Sequence, residues 1–502
     1  MAPVVRKNIL TLTVEEKDKL VLAFQRIKAL PAEHHDSFFT IASYHGIPGE
    51  FFCHHGDPLF PTWHRAYLYR LEKALQNQVP GVAIPYWQEV DSIKAGDPKF
   101  VIPTLLTDEN YTYANGETVP NPLRSYSLQQ AIEDTYSEEG KEDFIYSKPE
   151  GYATVRFPFS GLMTPAYKEK TEEHNREWGS KPISETTEVL NVNVATWLVN
   201  SYYITSNGKR LAAGLKYKFA RSLSNPSYTA FSNNTSAGLW NDDHIFPVTS
   251  LESPHNGMHL AIGGIQVPWQ DASVVDFANG DMGDNETAGF DPIFYFHHCF
   301  IDYMFWNWQK RHDSTTTLFF DTKYLAEEDK DKNLQTALDP FVAPDGTRAM
   351  TSQDVADIAN LGYSYDNLIN TTVSQGSDVV AQAAAASDTA AARPPRLLIS
   401  RIDKSKIRGS FVVSTTVRED GVVKEFIDAE PILSRYNVEG CGNCSDHLEV
   451  RYRVPLVGWT AEEAGRIKDK GRFFIDIHTH DNPRGAPPGG HFDTAPRVDL
   501  EI

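Results

Sequence analysis

Apolar residues recur with helical spacing along much of the first 310 positions. In TVEEKDKLVLAFQRIKAL, residues 13–30, Leu20, Ala23, Phe24 and Ile27 fall on one face, and Thr13 with Glu16 three residues later forms a capping box ahead of them. The stretch DSFFTIASYHG predicts a second helix that stops at Gly46 with His45 in its last turn. FPTWHRAYLYRLEKALQNQ predicts a third, with Pro61 in the first turn and His64 one turn in. SPHNGMHLAIGG sets His255 and His259 at i and i+4 on one helical face, closed by Gly263 and Gly264. DPIFYFHHCFIDYMFWNWQKRH, residues 291–312, is apolar all round, the pattern of a helix buried in the centre of a bundle. Between about 90 and 245 the chain is rich in Tyr, Asn, Ser, Pro and Glu with few long periodic runs, which predicts loops and short helices wrapped around a helical core.

The pattern then changes period. SDVVAQAAAASDTAAARPPR, residues 377–396, is Ala-, Ser- and Asp-rich and ends in a Pro pair, the composition of a linker. Beyond it, GSFVVSTTVRED, GVVKEFIDA, HLEVRYRVPLVG and RFFIDIHTHD alternate apolar and polar positions, and Asp420-Gly421 between two such runs signals a hairpin. The expectation is a mainly α N-terminal domain over 1–375, an Ala/Pro-rich linker over 376–396 and a smaller β-rich, sandwich-like domain over 397–502. No internal repeat spans them.

Charge narrows the partners. With 67 acidic against 47 basic residues the formal net charge is −20, a field that repels phosphate backbones and anionic lipid surfaces, so nucleic-acid and membrane roles are not expected. No stretch approaches the roughly 18 apolar residues of a membrane span. MAPVVRKNILTLTVEEKDKL holds no apolar core of a secretory signal, and a cytoplasmic location is expected. A homo-oligomer is left open. Four cysteines in so long a chain point away from a disulfide framework and towards metal, redox or covalent uses of single thiols.

The histidines change the picture most. Two groups stand out: His45, His54 or His55, and His64; then His255, His259, and His297 or His298. A lone histidine is usually a satisfied polar residue, and one HxxxH pair is equally at home on a helix surface. Two triads embedded beside Trp63, Phe294, Phe296 and Trp306 are different, because buried imidazoles need partners and a metal ion supplies them. All-imidazole donor sets suit copper, zinc or iron. Two such sets facing each other across a four-helix bundle would form a binuclear centre.

CHHGDPLFPTWHRAYL, followed by PHNGMHLAIGG and DPIFYFHHCFIDYMFW, resembles the type-3 copper proteins, that is, tyrosinases, catechol oxidases and molluscan-type hemocyanins. The resemblance covers residues 1–310 and implies two copper ions in the helical bundle, with O2 as co-substrate. It implies His45, His55 and His64 at the first copper and His255, His259 and His298 at the second, with His54 and His297 behind them. Cys53 stands in the Cys-x-His arrangement that in many members becomes a thioether to the ligand histidine, here His55.

The implied reaction is ortho-hydroxylation of monophenols such as tyrosine and oxidation of o-diphenols, the catechols, to o-quinones. A catechol or o-aminophenol oxidase lacking the first step, or a hemocyanin-like oxygen carrier, are the alternatives. Hydroxylation requires the phenol to lose a proton, so a base near the metals is needed. Glu252, three residues before His255, and Asn256, directly after it, match the positions where tyrosinases hold a water, and Leu260 is small enough to leave the second copper uncovered. Asp302, one turn after His298, and Asp291, at the helix start, read as architectural, and Cys299 as plain core. EGCGNCSDH, residues 439–447, is a CxxC. By resemblance to tyrosinases with a C-terminal β domain, Cys441 and Cys444 would deliver copper, soft thiolates suiting Cu(I). The domain would cover the site and keep the enzyme latent, with Tyr436, ahead of Ile432 or Leu433, as the inserted substrate mimic.

Overall fold

The structure, a computed structural model, describes residues 3–47, 52–91, 101–134, 142–200, 202–204, 210–212, 214–245, 247–268, 274–369, 395–438, 446–456, 459–487 and 496–502. Its helices are Val14–Ala29 (α1), Phe38–Ser43 (α2), Phe60–Gln78 (α3), Lys168–Gly179 (α4), Ile183–Ala195 (α5), Leu215–Ser222 (α6), Tyr228–Ser232 (α7), Asn234–Asp243 (α8), Glu252–Gly263 (α9), Ile293–Arg311 (α10), Ser352–Ala356 (α11) and Ala461–Asp469 (α12).

Local chemistry starts α1 as its sequence predicts: Thr13 accepts the N–H of Glu16, and the Glu16 carboxylate accepts the N–H of Thr13. Leu20, Val21, Ala23, Phe24 and Ile27 turn inward. Helix α3 begins with Pro61 in its first turn and lies between α1 and α10. Helix α10 is buried from Ile293 to Gln309, and every residue of α9 is buried. The second helix is shorter than its pattern promised. It ends at Ser43, so His45 sits just beyond it with its own N–H on Ala42 O. A Cβ on Gly263 would lie 2.1 Å from the Gly283 backbone nitrogen, so only glycine lets the end of α9 meet that segment. Helices α5 and α6 brace α9. No helix among the described residues is long and apolar enough to cross a membrane.

The C-terminal part is largely strand. We label Val4–Arg6 β1 and Tyr363–Tyr365 β2, which pair in parallel, and then Arg396–Asp403 β3, Phe411–Glu419 β4, Val422–Ile432 β5, Glu449–Pro455 β6, Phe473–His478 β7 and Arg497–Glu501 β8. Two three-stranded antiparallel sheets, β6-β3-β8 and β5-β4-β7, enclose a second apolar cluster that includes Leu397, Ile399, Phe411, Val413, Val450, Val454, Ile475 and Ile477. The β4–β5 turn places Asp420 and Gly421 both at positive φ, 51° and 77°, as the Asp-Gly signal requires. Helix α12 interrupts the strands and was not expected, although Thr460 and Glu463 form a capping box at its start. The sheets dock on the helices. Glu430 of β5 pairs with Lys218 of α6 at 2.7 Å and accepts from Ser253 of α9 at 2.9 Å, while Val412 of β4 joins the helical core.

Candidate metal centre

Six imidazoles from four segments meet inside the helical core. His45 follows α2, His55 lies on the loop into α3, and His64 is on α3. Their ring centroids form a triangle with sides of 5.1, 5.3 and 5.6 Å. His255 and His259 of α9 and His298 of α10 form another, with sides of 4.5, 4.8 and 5.5 Å. The two triangles face each other: His64 stacks on His298 at 4.4 Å, and His55 lies 5.8 Å from His255.

Four of the six rings are held from behind. His45 Nδ1 donates to Asn285 O at 3.1 Å, His64 Nδ1 to Phe60 O at 2.8 Å, His259 Nδ1 to Met282 O at 2.8 Å, and His255 Nδ1 to Asn256 Oδ1 at 2.9 Å. Carbonyl oxygens only accept, so in these four rings the proton is on Nδ1 and the Nε2 lone pair is free. The Nε2 atoms of His45, His55 and His64 are buried without a hydrogen-bond partner. His298 Nε2 lies 3.2 Å from His255 Nε2 and 3.3 Å from His259 Nε2. A proton on one of them can satisfy only one of these contacts at a time, whereas a metal cation accepts from all three. Burial, reinforced by mutual repulsion of the protonated forms, pushes all six rings down, His64 to about 3. They are neutral at physiological pH, the state in which an imidazole binds metal. Six buried neutral nitrogen donors fit copper well.

The chain is similar to known proteins over most of its length. Residues 35–311 match the family model described as the common central domain of tyrosinase. The chain belongs to the tyrosinase family. It is 37% identical to a tyrosinase of Aspergillus oryzae, over 96% of this chain and 94% of that one. It is 36% identical to tyrosinase HcTyr2 of a Hahella species, over 92% of this chain and 88% of that one. The solved tyrosinase from Burkholderia thailandensis at high pH superposes with a TM-score of 0.78 at 34% identity, both chains being fully covered. The protein is therefore a tyrosinase-family copper oxidase that uses two copper ions and O2, and the family acts on phenolic substrates.

Other residues singled out in the sequence fall around this tyrosinase-family centre. Cys53 is buried, and one donor atom from each of Cys53, His45 and His55 lies within 4.8 Å of the others. Burial pushes its thiol up to about 11. Glu252 is buried at the start of α9, where its two oxygens accept the N–H of Gly56 at 2.7 Å and of Asn234 at 2.8 Å. Burial raises its pKa, against these two hydrogen bonds. Asn256 contacts the ring of His255, and Leu260 is buried in the core. His54 donates to Asp57 at 2.6 Å, and His297 to Glu89 at 2.6 Å. Asp291 binds Arg156 through both oxygens and caps Ile293 N. Cys299 packs in the core with its thiol on Ile84 O.

Tyr436 is buried. Its backbone N–H is tied to Glu286, and its ring meets Tyr146 at 5.6 Å and His480 at 6.4 Å instead of any of the six imidazoles. Ile432 belongs to the C-terminal apolar cluster, while Leu433 packs on the helical one. It is the fully buried Arg435 whose charge reaches His45 and Cys53, and its Nε stands 3.8 Å from Glu286. Cys441 and Cys444 lie outside the described residues. His447, just beyond them, packs on Gly56 beside Asp329 and Glu328. Arg435, Glu286 and Glu89 went unnoticed in the sequence. Each stands among polar or charged neighbours, so its local sequence carries no signal.

Proposed function

We propose that this enzyme ortho-hydroxylates monophenols and oxidises o-diphenols to o-quinones, and that residues 397–502 hold it latent. His45, His55 and His64 would hold one copper and His255, His259 and His298 the other, in a four-helix arrangement of α2, α3, α9 and α10. The observation that carries the reading is the pair of facing triads whose Nε2 atoms find no satisfying partner within the protein.

When bound, the copper ions supply the electrons that O2 takes up and the Lewis acidity that binds a phenolate. The protein's part is positioning and proton handling. Backbone carbonyls of Phe60, Met282 and Asn285 fix the rings, as does Asn256 Oδ1, so that no reorientation is needed on turnover. Glu252, raised by burial, would accept the proton a phenol must lose, with Asn256 holding the water between them. Cys53 would lock His55 through a thioether, and Cys441 with Cys444 would deliver copper. Latency is supported by the docking of Glu430 on α6 and α9 and by Arg435 and Tyr436 on Glu286. The second reading, an o-diphenol oxidase without hydroxylation, is favoured by one observation: both Glu252 oxygens already accept backbone N–H groups.

The test is oxygen uptake on tyrosine and on catechol, with copper content, before and after limited proteolysis between residues 376 and 396. Two coppers and turnover of both substrates only after the cut support the proposal. Turnover of catechol alone selects the second reading, and full activity without cleavage removes latency.

A further inference from the structure

Seven imidazoles crowd the centre, all but that of His55 on fully buried residues, and the six-ligand assignment leaves one over. The ring of His297 lies 5.2 Å from that of His255, 5.0 Å from His259 and 5.1 Å from His298. One of its ring nitrogens lies within 4.8 Å of donor atoms of all three. Its Nδ1 donates to Glu89 Oε1 at 2.6 Å, and its Nε2 is buried with no partner. Glu89 is itself fully buried, its second oxygen has no partner, and among the described residues its ion pair is with His297 alone.

A ring with one nitrogen donating to a carboxylate and the other bare has the dress of a metal ligand, and the carboxylate makes the bare nitrogen a better donor. A buried carboxylate with no fixed cation is costly, and a copper ion against the same ring offsets its charge. His298 is differently placed. It is clamped flat between Phe294, at 4.0 Å, and His64, at 4.4 Å, with its Nε2 already directed at the other two rings. The second site thus has four imidazoles within reach of one another, of which three would be used at a time.

We propose that His297, oriented by Glu89, is an auxiliary copper donor that receives the entering ion together with His255 and His259 before His298 takes its place. The exchange is a ligand substitution: the bond from copper to His297 breaks as the bond to His298 forms, His297 keeps its Nδ1 proton, and no electron moves. The inference rests on the six-imidazole assignment proposed above.

It is tested by anaerobic loading of the full-length apo protein with Cu(I), with uptake followed by stopped-flow competition against a chromogenic chelator and final copper counted by atomic emission. Glu89→Gln and His297→Gln each slow the uptake of one equivalent at least tenfold while the other enters at the parent rate. The double variant is no slower than the slower single one, because the two residues act as one unit. Parent rates in both variants overturn the proposal, and so does slowing in Glu89→Gln alone, which would reduce the carboxylate to packing. Near-UV circular dichroism checks the fold. Should a Gln variant not fold, chelator-driven release from loaded Glu89→Asp is compared with the parent: a several-fold change supports the proposal and an unchanged rate overturns it. A parent that binds fewer than two equivalents contradicts the six-imidazole assignment instead, so the two failures are distinguishable.

Discussion

Replacing Asp302 by Asn removes one charge from the point where four elements are joined. Asp302 of α10 accepts from Arg65 Nε of α3 at 2.5 Å, Arg6 Nη1 of β1 at 3.1 Å, and the hydroxyls of Tyr363 and Tyr365 of β2, each at 2.6 Å. All five side chains are buried or nearly so. An asparagine oxygen keeps at most two of these four bonds, and its amide turns N–H groups towards donors. Arg6 retains Glu72, and Arg65 retains Gln309 and the carbonyls of Val355 and Ala356, so neither cation is stripped bare. Breaking one partner of a buried pair costs about 3–5 kcal/mol. Two lost hydrogen bonds to a charged acceptor, at about 1.5–3 kcal/mol each, arrive at the same range. We expect Asp302→Asn to lower the unfolding free energy by about 3–4 kcal/mol at pH 7, because the remaining partners soften the loss.

Urea unfolding of the apo protein reads this directly, and pH gives an independent arm. The two guanidinium groups and the tyrosine hydroxyls hold the Asp302 carboxyl below its ordinary range against the opposing effect of burial. A lowered folded-state pKa contributes stability that is present above the unfolded value of about 3.9 and is lost as pH falls through it towards the folded value. The deficit of Asp302→Asn therefore shrinks below about pH 4. A loss under about 1 kcal/mol at pH 7, or a deficit that does not change with pH, would refute the reasoning.

Other outcomes follow from the same geometry. Gly263→Ala puts a Cβ 2.1 Å from the Gly283 nitrogen, next to Met282, whose carbonyl holds His259, so the variant should both unfold earlier and retain less copper. A parent-like midpoint on thermal unfolding would show that the backbone yields there. Glu430→Ala cuts the ties to Lys218 and Ser253 and should raise catechol oxidation by the uncleaved chain several-fold; unchanged activity would exclude this contact from latency. His447 stands against Asp329 and Glu328, and against the effect of burial the carboxylates of Asp329 and Asp57 raise its pKa. Its contribution is complete below the unfolded value of about 6.5 and is lost as pH rises through the folded one. Protection of residues 446–456, taken relative to the intrinsic exchange rate at each pH, should therefore fall from pH 6 to pH 9, and His447→Gln should abolish the change.

Much of the centre was readable because its demands are local. His255 and His259 share a helical face through i,i+4 spacing, and α10 declares itself by being apolar on every side. The Asp420-Gly421 turn is written in two residues that tolerate positive φ. What escaped depends on contacts far apart in the chain. The carbonyls of Asn285 and Met282 that orient His45 and His259 carry no side-chain signal, since any residue supplies a carbonyl. Glu89 meets His297 across 208 positions, and nothing in PYWQEVD announces it. For the segment 432–436 the pattern offered Tyr436, and it could not show that its ring packs against Tyr146 or that the buried Arg435 stands beside Glu286.

The central claim is that two copper ions lie between the two imidazole triads. Anomalous diffraction at the copper edge from crystals of the loaded protein tests it most directly. We expect two peaks, one bounded by the Nε2 atoms of His45, His55 and His64 and the other by those of His255, His259 and His298. A single peak, or a second peak away from these atoms, would contradict the account.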